Sequence, residues 1–398
     1  MNDRLAYITK VDVQGYRSLE DVVVNTGSIT VLVGPNGSGK SSFADLFVFL
    51  QECILSSPEV AFSVRGGIQQ VITRTGQRPD RIRLRVEICS CHQKKWRGSY
   101  SVAFKQLDTY PAQSEKGVSP TAQSFTIPQE ECEIRIGEEG QVARFVVKDG
   151  KWEESTLGVT PALAANRLAL PLLSGTEEFA PIYQALTEVT YYAPQPHPST
   201  GLSHLFSNGT SIAAGLRQVQ LKDQTRYLRI EETLKQMVPT IQAIQPKKIG
   251  RNWTVEFTEA FDHGPPVKFE AISMSEGTLR LLAILFTAYS LSPPTLIILE
   301  EPEVALHPGM GAILVDGLRE SALHTQFLIT THSSDLITRF DVDSLRAVDR
   351  IHGVTTIAPI ATTQRKAIQQ RLFTAGELHR IEGLRPVING APERSVHA

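Results

Sequence analysis

Residues 34–41 combine three glycines with a lysine and a serine at fixed spacing. The segment reads Gly-Pro-Asn-Gly-Ser-Gly-Lys-Ser and fits the pattern G-x-x-x-x-G-K-[ST] at every fixed position. Glycines let backbone N–H groups turn inward, and a following helix presents its positive end to a polyphosphate. Lys40 suits the β- and γ-phosphates, and the Ser41 hydroxyl suits Mg²⁺. We therefore expect ATP and Mg²⁺ as cofactors. The expected nucleotide contacts are Asn36, Gly37, Ser38, Gly39, Lys40, Ser41 and Ser42.

Two adjacent carboxylates end a short apolar segment in the last third of the chain. Residues 296–299 read Leu-Ile-Ile-Leu, as in a strand buried on both faces, and Glu300 and Glu301 follow. Ligands of parallel sheets bind beyond the carboxyl ends of the strands, and neighbouring strand residues point to opposite sides. We assign Glu300 to Mg²⁺, directly or through water, and Glu301 to the general base that activates the attacking water.

A second anion site is predicted where an apolar helix begins after residue 275. Ser273 and Glu276 fit a capping box. The Ser275 hydroxyl and the Gly277 N–H at the same helix start are also suited to an anion. Because the chain already has a phosphate loop, this site can meet the γ-phosphate of an ATP that another subunit holds.

A histidine follows a third apolar segment. Residues 327–330 predict a buried strand, and His332 lies just beyond it, one strand-helix unit after the acidic pair. An imidazole there can hydrogen-bond the γ-phosphate and the attacking water. We group His332 with Glu301 and Lys40 as the catalytic residues.

The elements that must position these groups predict an α/β fold. Strand and helix patterns alternate in the last third, which favours a parallel sheet with crossover helices. Alternating patterns between residues 81 and 147 predict an antiparallel β lobe, and the middle of the chain is more helical. We expect an N-terminal lobe with the phosphate loop at 1–190, a connecting helical and β segment at 191–270, and a C-terminal lobe at 271–398.

The net charge and the distribution of apolar residues limit which partners the protein can be expected to bind. The net charge of −2 gives no global attraction to nucleic acid, so a DNA surface must be a local patch. Arg81, Arg83 and Arg85 alternate along one predicted strand and form either such a patch or a solvated strand face. No signal peptide and no apolar run of membrane-spanning length are recognised, which predicts a cytoplasmic protein with no membrane contact.

Together the four motifs, in this order, resemble the ABC-type ATPase heads of the RecF/SMC/OLD group. Closest in appearance are stand-alone bacterial ATPases of AAA type that resemble RecF. The resemblance rests on residues 34–41, 275–280, 300–303 with 306–308, and 330–333. It implies a P-loop head with a mixed or parallel core sheet, an antiparallel β lobe and a helical lobe.

The resemblance also implies a homodimer of heads that sandwiches two ATP molecules. Each site would join the phosphate loop of one head to the Ser275–Gly277 motif of the other. Arg17 resembles the N-terminal arginine that touches nucleotide in related heads. Gln69, assigned here to Mg²⁺, and Gln70 are both candidates for the glutamine beside the metal.

The function implied is a nucleotide-gated switch in DNA maintenance and repair or in anti-phage defence. Its partner would be DNA or an effector protein such as a nuclease or toxin. No coiled-coil arm and no TOPRIM nuclease are recognised in the sequence. Two alternatives remain at this point: the ATPase subunit of a membrane transporter, and a P-loop kinase of a small molecule.

Overall fold

The computed structural model describes residues 6–73, 81–90, 95–107, 125–137, 140–158, 160–193, 212–261, 264–305 and 308–387. These residues form three β-sheets and eleven α-helices. The mixed α/β fold predicted from the sequence is confirmed. Residues 306–307, which belong to one of the motifs of the sequence analysis, lie outside the described residues.

The first sheet is an antiparallel lobe of seven strands. They are β1 (Ala6–Tyr16), β2 (Leu19–Asn25), β4 (Arg81–Ser90), β5 (Trp96–Gln106), β6 (Phe125–Ile136), β7 (Gln141–Lys148) and β8 (Lys151–Ser155), in the order β2-β1-β4-β5-β6-β7-β8. Burial alternates along β4 because one face of the sheet packs on the core and the other meets solvent. Phe49, Phe62, Phe104 and Phe125 form an aromatic cluster beneath it, with centroids 4.9–6.2 Å apart.

The second sheet carries the phosphate loop and the acidic pair. Its strands are β3 (Ile29–Val33), β9 (Val189–Tyr192), β13 (Leu296–Glu300), β14 (Gln326–Thr331), β15 (Leu345–Ile351) and β16 (Val354–Pro359), in the order β16-β15-β3-β14-β13-β9. All neighbours are parallel except the β15–β16 hairpin. The parallel core sheet is therefore confirmed, with one antiparallel strand at its edge.

Both faces of this second sheet are covered, which explains its continuous apolar strands. Leu296 and Ile298 of β13 pack into one core with α1 (Lys40–Leu55). Ile297 and Leu299 pack into a second core on the other face. Parallel strands are typically buried in this way, so an alternating pattern is not expected in them.

The remaining elements surround these cores. A small third sheet contains β10 (Ile241–Ile249), β11 (Asn252–Glu259) and β12 (Val267–Glu270). The other helices are α2 (Pro58–Val64), α3 (Ile68–Val71), α4 (Ala180–Thr187), α5 (Ile212–Lys222), α6 (Gln224–Met237), α7 (Glu276–Ala288), α8 (Gly311–Ser321), α9 (Ser334–Arg339), α10 (Thr362–Gln369) and α11 (Ala375–Glu382). The boundaries at 190 and 270 stay a prediction. Residue 190 lies within β9, and residue 270 is the last residue of β12.

A buried glutamate ties the antiparallel lobe to the chain that follows it. Glu130 is fully buried, and its Oε1 accepts the Tyr100 hydroxyl at 2.9 Å and the Leu170 N–H at 3.0 Å. Its Oε2 accepts the Ala169 N–H at 2.5 Å. Burial outweighs these three donors and raises the pKa of Glu130 to about 7 from its ordinary 4.5.

This raised pKa makes stability depend on pH. Between pH 4.5 and pH 7 the unfolded chain ionises Glu130 while the folded chain keeps it protonated, so folding loses stability as pH rises. A Glu130→Gln variant cannot ionise. The free energy of unfolding of the variant minus that of wild type should increase by about 3 kcal/mol between pH 4.5 and pH 7.5, as measured by urea titrations. Glu154→Gln, at an exposed position of the same lobe, is the control. A pH-independent difference would refute the assignment.

Candidate nucleotide-binding site

The phosphate loop joins the end of β3 to the first turn of α1. Gly39 precedes this helix with a φ of 111°, a left-handed value that glycine adopts readily, and no side chain caps the helix start. The first N–H groups of α1 are therefore available to an anion. Lys40 folds back over the loop, where its Nζ donates to the carbonyl oxygens of Gly34 at 2.7 Å and Pro35 at 2.9 Å.

A cleft of about 600 Å³ opens beside this loop. Among the predicted contacts, it is lined by loop residues 36–37 and 39–42, by Arg17 and by Glu301. Ser38 does not line the cleft, because its side chain is buried. Its hydroxyl has no hydrogen-bond partner among the described residues. Gln70 lines the cleft, whereas Gln69 is not among the lining residues.

The two carboxylates at the end of β13 occupy different surroundings. Glu300 is the last residue of the strand and is buried. Tyr191 hydrogen-bonds its carboxylate, and burial, reinforced by that carboxylate, raises the pKa of Tyr191. Oε1 of Glu300 has no hydrogen-bond partner among the described residues. An unpartnered carboxylate oxygen is the kind of ligand that a hard cation takes.

Glu301 lies one residue beyond the strand. Its φ is +42°, and its N–H donates to the Thr330 carbonyl at 2.9 Å. Strand alternation is therefore the wrong reason for separating Glu300 from Glu301, since only Glu300 belongs to β13. The left-handed backbone makes the separation instead, with Glu301 on the cleft and Glu300 buried.

His332 lies beside Glu301, which lines the cleft. His332 Nδ1 lies 3.4 Å from Glu301 Oε1 and 3.9 Å from Glu303 Oε1. Glu303 also accepts hydrogen bonds from the Thr331 hydroxyl at 2.7 Å and the His332 N–H at 3.2 Å. Glu303 therefore holds the end of β14 in place, and His332 faces Glu301.

The acidic cluster of Glu300, Glu301 and Glu303 affects the pKa of Lys40. Burial lowers its pKa, and the nearby carboxylates of Glu301, Glu300 and Glu303 oppose that effect in decreasing order. The order shows that Glu301 has the strongest electrostatic coupling to Lys40 of the three. Glu301 therefore lies near both Lys40 and His332, and the catalytic roles of the three residues stay a prediction.

The serine-glycine motif lies at a different cleft. Ser275 caps α7, because its Oγ accepts the Thr278 N–H at 3.1 Å. The predicted capping box from Ser273 to Glu276 is wrong, since Ser273 belongs to a preceding 3₁₀ turn and the helix cap, Ser275, lies two residues later. Ser275 and Gly277 line a cleft of about 410 Å³ with Met237 and other apolar side chains. Within one chain this motif does not line the phosphate-loop cleft.

Behind the cleft lies a buried network of charged residues that the sequence motifs do not predict. Asp45 of α1 accepts the Tyr16 hydroxyl at 2.6 Å and pairs with Arg17 at 2.8 Å. Arg65 also donates to Asp45, at 2.7 Å, and is itself buried. Burial alone would raise the pKa of Asp45, but the hydrogen bonds and charge of Arg65, with Arg17 and Tyr16, hold it below its ordinary value. No spacing pattern joins these residues, so the sequence gives no signal for the network.

Phosphate loop, parallel sheet, acidic strand end and histidine together define a P-loop ATPase head of ABC type. Residues 29–338 match the family described as "AAA domain, putative AbiEii toxin, Type IV TA system". This match spans most of the chain, and the chain belongs to that family. The resemblance predicted from the motifs is confirmed at this level. Comparison with curated proteins finds no match.

Solved structures show the same fold. One is "Crystal structure of the SmcHead bound to the C-winged helix domain of ScpA", with a TM-score of 0.53, 13% identity, and 91% of this chain and 100% of that chain covered. Another is an Smc head domain with an extended coiled coil, bound to the C-terminal domain of ScpA and derived from Pyrococcus furiosus. Its TM-score is 0.54 at 12% identity, with 92% and 99% covered. At such low identity the likeness establishes the fold alone. In the described part of the chain, every helix is too short or too polar to cross a bilayer.

Proposed function

We propose that this protein binds ATP with Mg²⁺, hydrolyses it, and acts as a dimeric switch gated by the nucleotide. The observation that carries the proposal is that Lys40 and Glu301 line one cleft beside the start of α1, with Nδ1 of His332 3.4 Å from Oε1 of Glu301. Lys40 and the free N–H groups of α1 would hold the phosphates. Glu301 would take a proton from the attacking water, and His332 would orient that water and the γ-phosphate.

The residues present fit a magnesium ion. The Ser41 hydroxyl lines the cleft, and Glu300 has a buried oxygen without a hydrogen-bond partner among the described residues. These two residues would hold the ion, which supplies positive charge against the phosphates when bound. For the nearby glutamine we favour Gln70 over Gln69, because only Gln70 lines the cleft.

The dimer is proposed from the separation of the two anion sites. Ser275 and Gly277 line their own cleft and not the one beside Lys40. A helix start with a serine hydroxyl and a glycine N–H is suited to a phosphate. The arrangement is complete when a second copy brings its Ser275 to the γ-phosphate held by Lys40, with two equivalent sites related by two-fold symmetry.

Mixing two inactive variants tests this shared site. Lys40→Ala removes the phosphate-loop half, and Ser275→Arg blocks the serine half. In a mixed dimer one site carries both defects and the other carries none. If the sites act independently, half of the dimers in an equal mixture are mixed and each has one intact site. We therefore expect ATP hydrolysis of about a quarter of the wild-type rate.

Each variant alone must be inactive for the mixture to be informative. Ser275→Arg also removes the cap of α7, which costs about 1 kcal/mol, so its unfolding temperature is measured beside wild type. Recovery of activity on mixing two folded, inactive variants supports a site built from two chains. A mixture that stays inactive contradicts it.

The charge pattern of the β lobe bears on the partner. Arg81, Arg83 and Arg85 share the exposed face of β4, as their spacing predicts. Their neighbours on this face include acidic residues: Asp12 lies opposite Arg85, and Glu87 lies 3.9 Å from it. The face therefore mixes charges and is less suited to a DNA backbone than a uniform basic patch. We favour an effector protein over DNA as the partner, in anti-phage defence or DNA maintenance.

A further inference from the structure

The β15–β16 hairpin forms a wall of the nucleotide cleft that no sequence motif predicts. A Cβ atom added to Gly34 would lie 2.1 Å from the Val348 carbonyl oxygen, and one added to Gly39 would lie 2.2 Å from the Thr355 hydroxyl. The Thr355 hydroxyl also donates to the Ser38 carbonyl at 2.8 Å. The hairpin thus packs directly against the phosphate loop, and two glycines of the loop are needed for this close approach.

The turn of this hairpin carries an arginine into the cleft. Arg350 and Gly353 both line it. The Arg350 guanidinium donates to two backbone oxygens, that of Gly353 at 3.1 Å and that of Gly37 at 3.4 Å. The side chain is exposed on the cleft side of the loop. The Arg350 side chain therefore lies beside the phosphate loop at Gly37, whereas Lys40 hydrogen-bonds the carbonyls of Gly34 and Pro35.

Within the part of the chain that the structure describes, no carboxylate pairs with the charge of Arg350. Among the described residues no carboxylate oxygen lies within 4.0 Å of its guanidinium. The adjacent Asp349 accepts the backbone N–H of Arg350 at 2.7 Å instead. Arg17, the other arginine of the cleft, pairs with Asp45 at 2.8 Å. Of these two arginines, Arg350 is the one whose charge remains available to a ligand.

We propose that Arg350 binds the phosphates of the nucleotide, as a second cation beside Lys40. This inference rests on the proposed function. A guanidinium presents paired N–H groups that match phosphate oxygens, and such charge-assisted hydrogen bonds are stronger than bonds to neutral carbonyls. The 3.4 Å contact with Gly37 is long for a hydrogen bond, so exchanging it for a phosphate oxygen favours the bound state. Since Gly37 belongs to the phosphate loop, the nearest part of the ligand is its phosphate chain.

The test compares nucleotide affinities of the full chain by calorimetry. Arg350→Ala and Arg350→Gln should each weaken MgATP binding about tenfold, as expected for a lost charged hydrogen bond at an exposed site. Arg350→Lys keeps the charge without the paired geometry and should fall in between. GTP, if bound, should lose as much affinity as ATP. In turnover assays KM should rise while kcat changes little, which a general loss of folding would not produce.

Arg371→Ala is the matched control, because Arg371 is an exposed arginine that does not line the cleft. Unchanged ATP affinity in folded Arg350 variants would overturn the inference while leaving the proposed function intact. A loss of affinity for ATP but not for GTP would indicate that Arg350 contacts the adenine ring, and this result would also overturn the inference. Failure of wild type itself to bind MgATP would instead refute the proposed function. The Gln variant keeps the test valid if the Ala variant does not fold.

Discussion

Replacing Lys40 with alanine should abolish ATP binding. The Lys40 ammonium bonds the Gly34 and Pro35 carbonyls, within electrostatic reach of Glu301, and is the charged group of the loop itself. Without it the phosphates would face Glu300, Glu301 and Glu303 with less compensating charge. Leaving buried charges uncompensated typically costs about 3–5 kcal/mol, so we expect an affinity loss of at least about a hundredfold in calorimetric titration.

The control for this variant is Lys366→Ala, at an exposed lysine of α10. Both variants should keep the wild-type far-ultraviolet circular dichroism spectrum, since the described hydrogen bonds of the Lys40 ammonium go to loop carbonyls. ATP affinity in Lys40→Ala equal to that of wild type would remove the phosphate-loop role. A variant that fails to fold would show that Lys40 also stabilises the loop, and Lys40→Gln would then be titrated in its place.

Replacing Glu301 with glutamine should separate binding from hydrolysis. Glutamine has nearly the same shape, so the cleft and the left-handed backbone at this position are kept. Its amide cannot take a proton from water, and removal of a general base typically slows a reaction about 10²- to 10⁴-fold. We expect the variant to bind ATP with wild-type affinity and to turn it over at least about a hundredfold more slowly.

Slow turnover should also lengthen the lifetime of the dimer, because the ATP bound between the two chains remains intact for longer. Light scattering after gel filtration with MgATP should show a dimer for Glu301→Gln and a faster return to monomer for wild type. Glu320→Gln, at a position that does not line the cleft, is the control. Normal turnover by the Glu301 variant would remove this residue from the role of base. A trapped dimer would also allow a bound partner to be isolated.

The parts of this site that the sequence predicts are those with local signals. The loop at 34–41, the helix after it and the buried strand before Glu300 are each encoded by neighbouring residues. The roles proposed for Lys40 and His332 follow from where those elements begin and end. Loop, acid pair and histidine then meet because the carboxyl ends of adjacent parallel strands lie at one edge of the sheet.

Features that depend on tertiary contacts have no such signal. Asp45 lies within an otherwise apolar stretch of α1, residues 43–50, and its link to Arg17 and Arg65 appears only when three separate segments pack together. The hairpin that brings Arg350 to the cleft is more than 300 residues from the loop it covers. The left-handed turn at Glu301 is likewise set by pairing with β14, since its N–H bonds the Thr330 carbonyl. Local propensity cannot specify these arrangements.

The position of β3 in the sheet has a consequence for synthesis of the protein. This strand lies between β14 and β15, so both of its hydrogen-bonding edges stay unpaired until those two strands, which follow it much later in the chain, have been synthesised. The Gln326 side chain, which bonds the backbone of Ile8, joins segments 318 residues apart. On the ribosome, an unfinished chain would leave an apolar strand unpaired, a state prone to aggregation. Fragments ending before β14 should therefore need chaperone protection, and the nucleotide cannot assist folding until the late strands emerge.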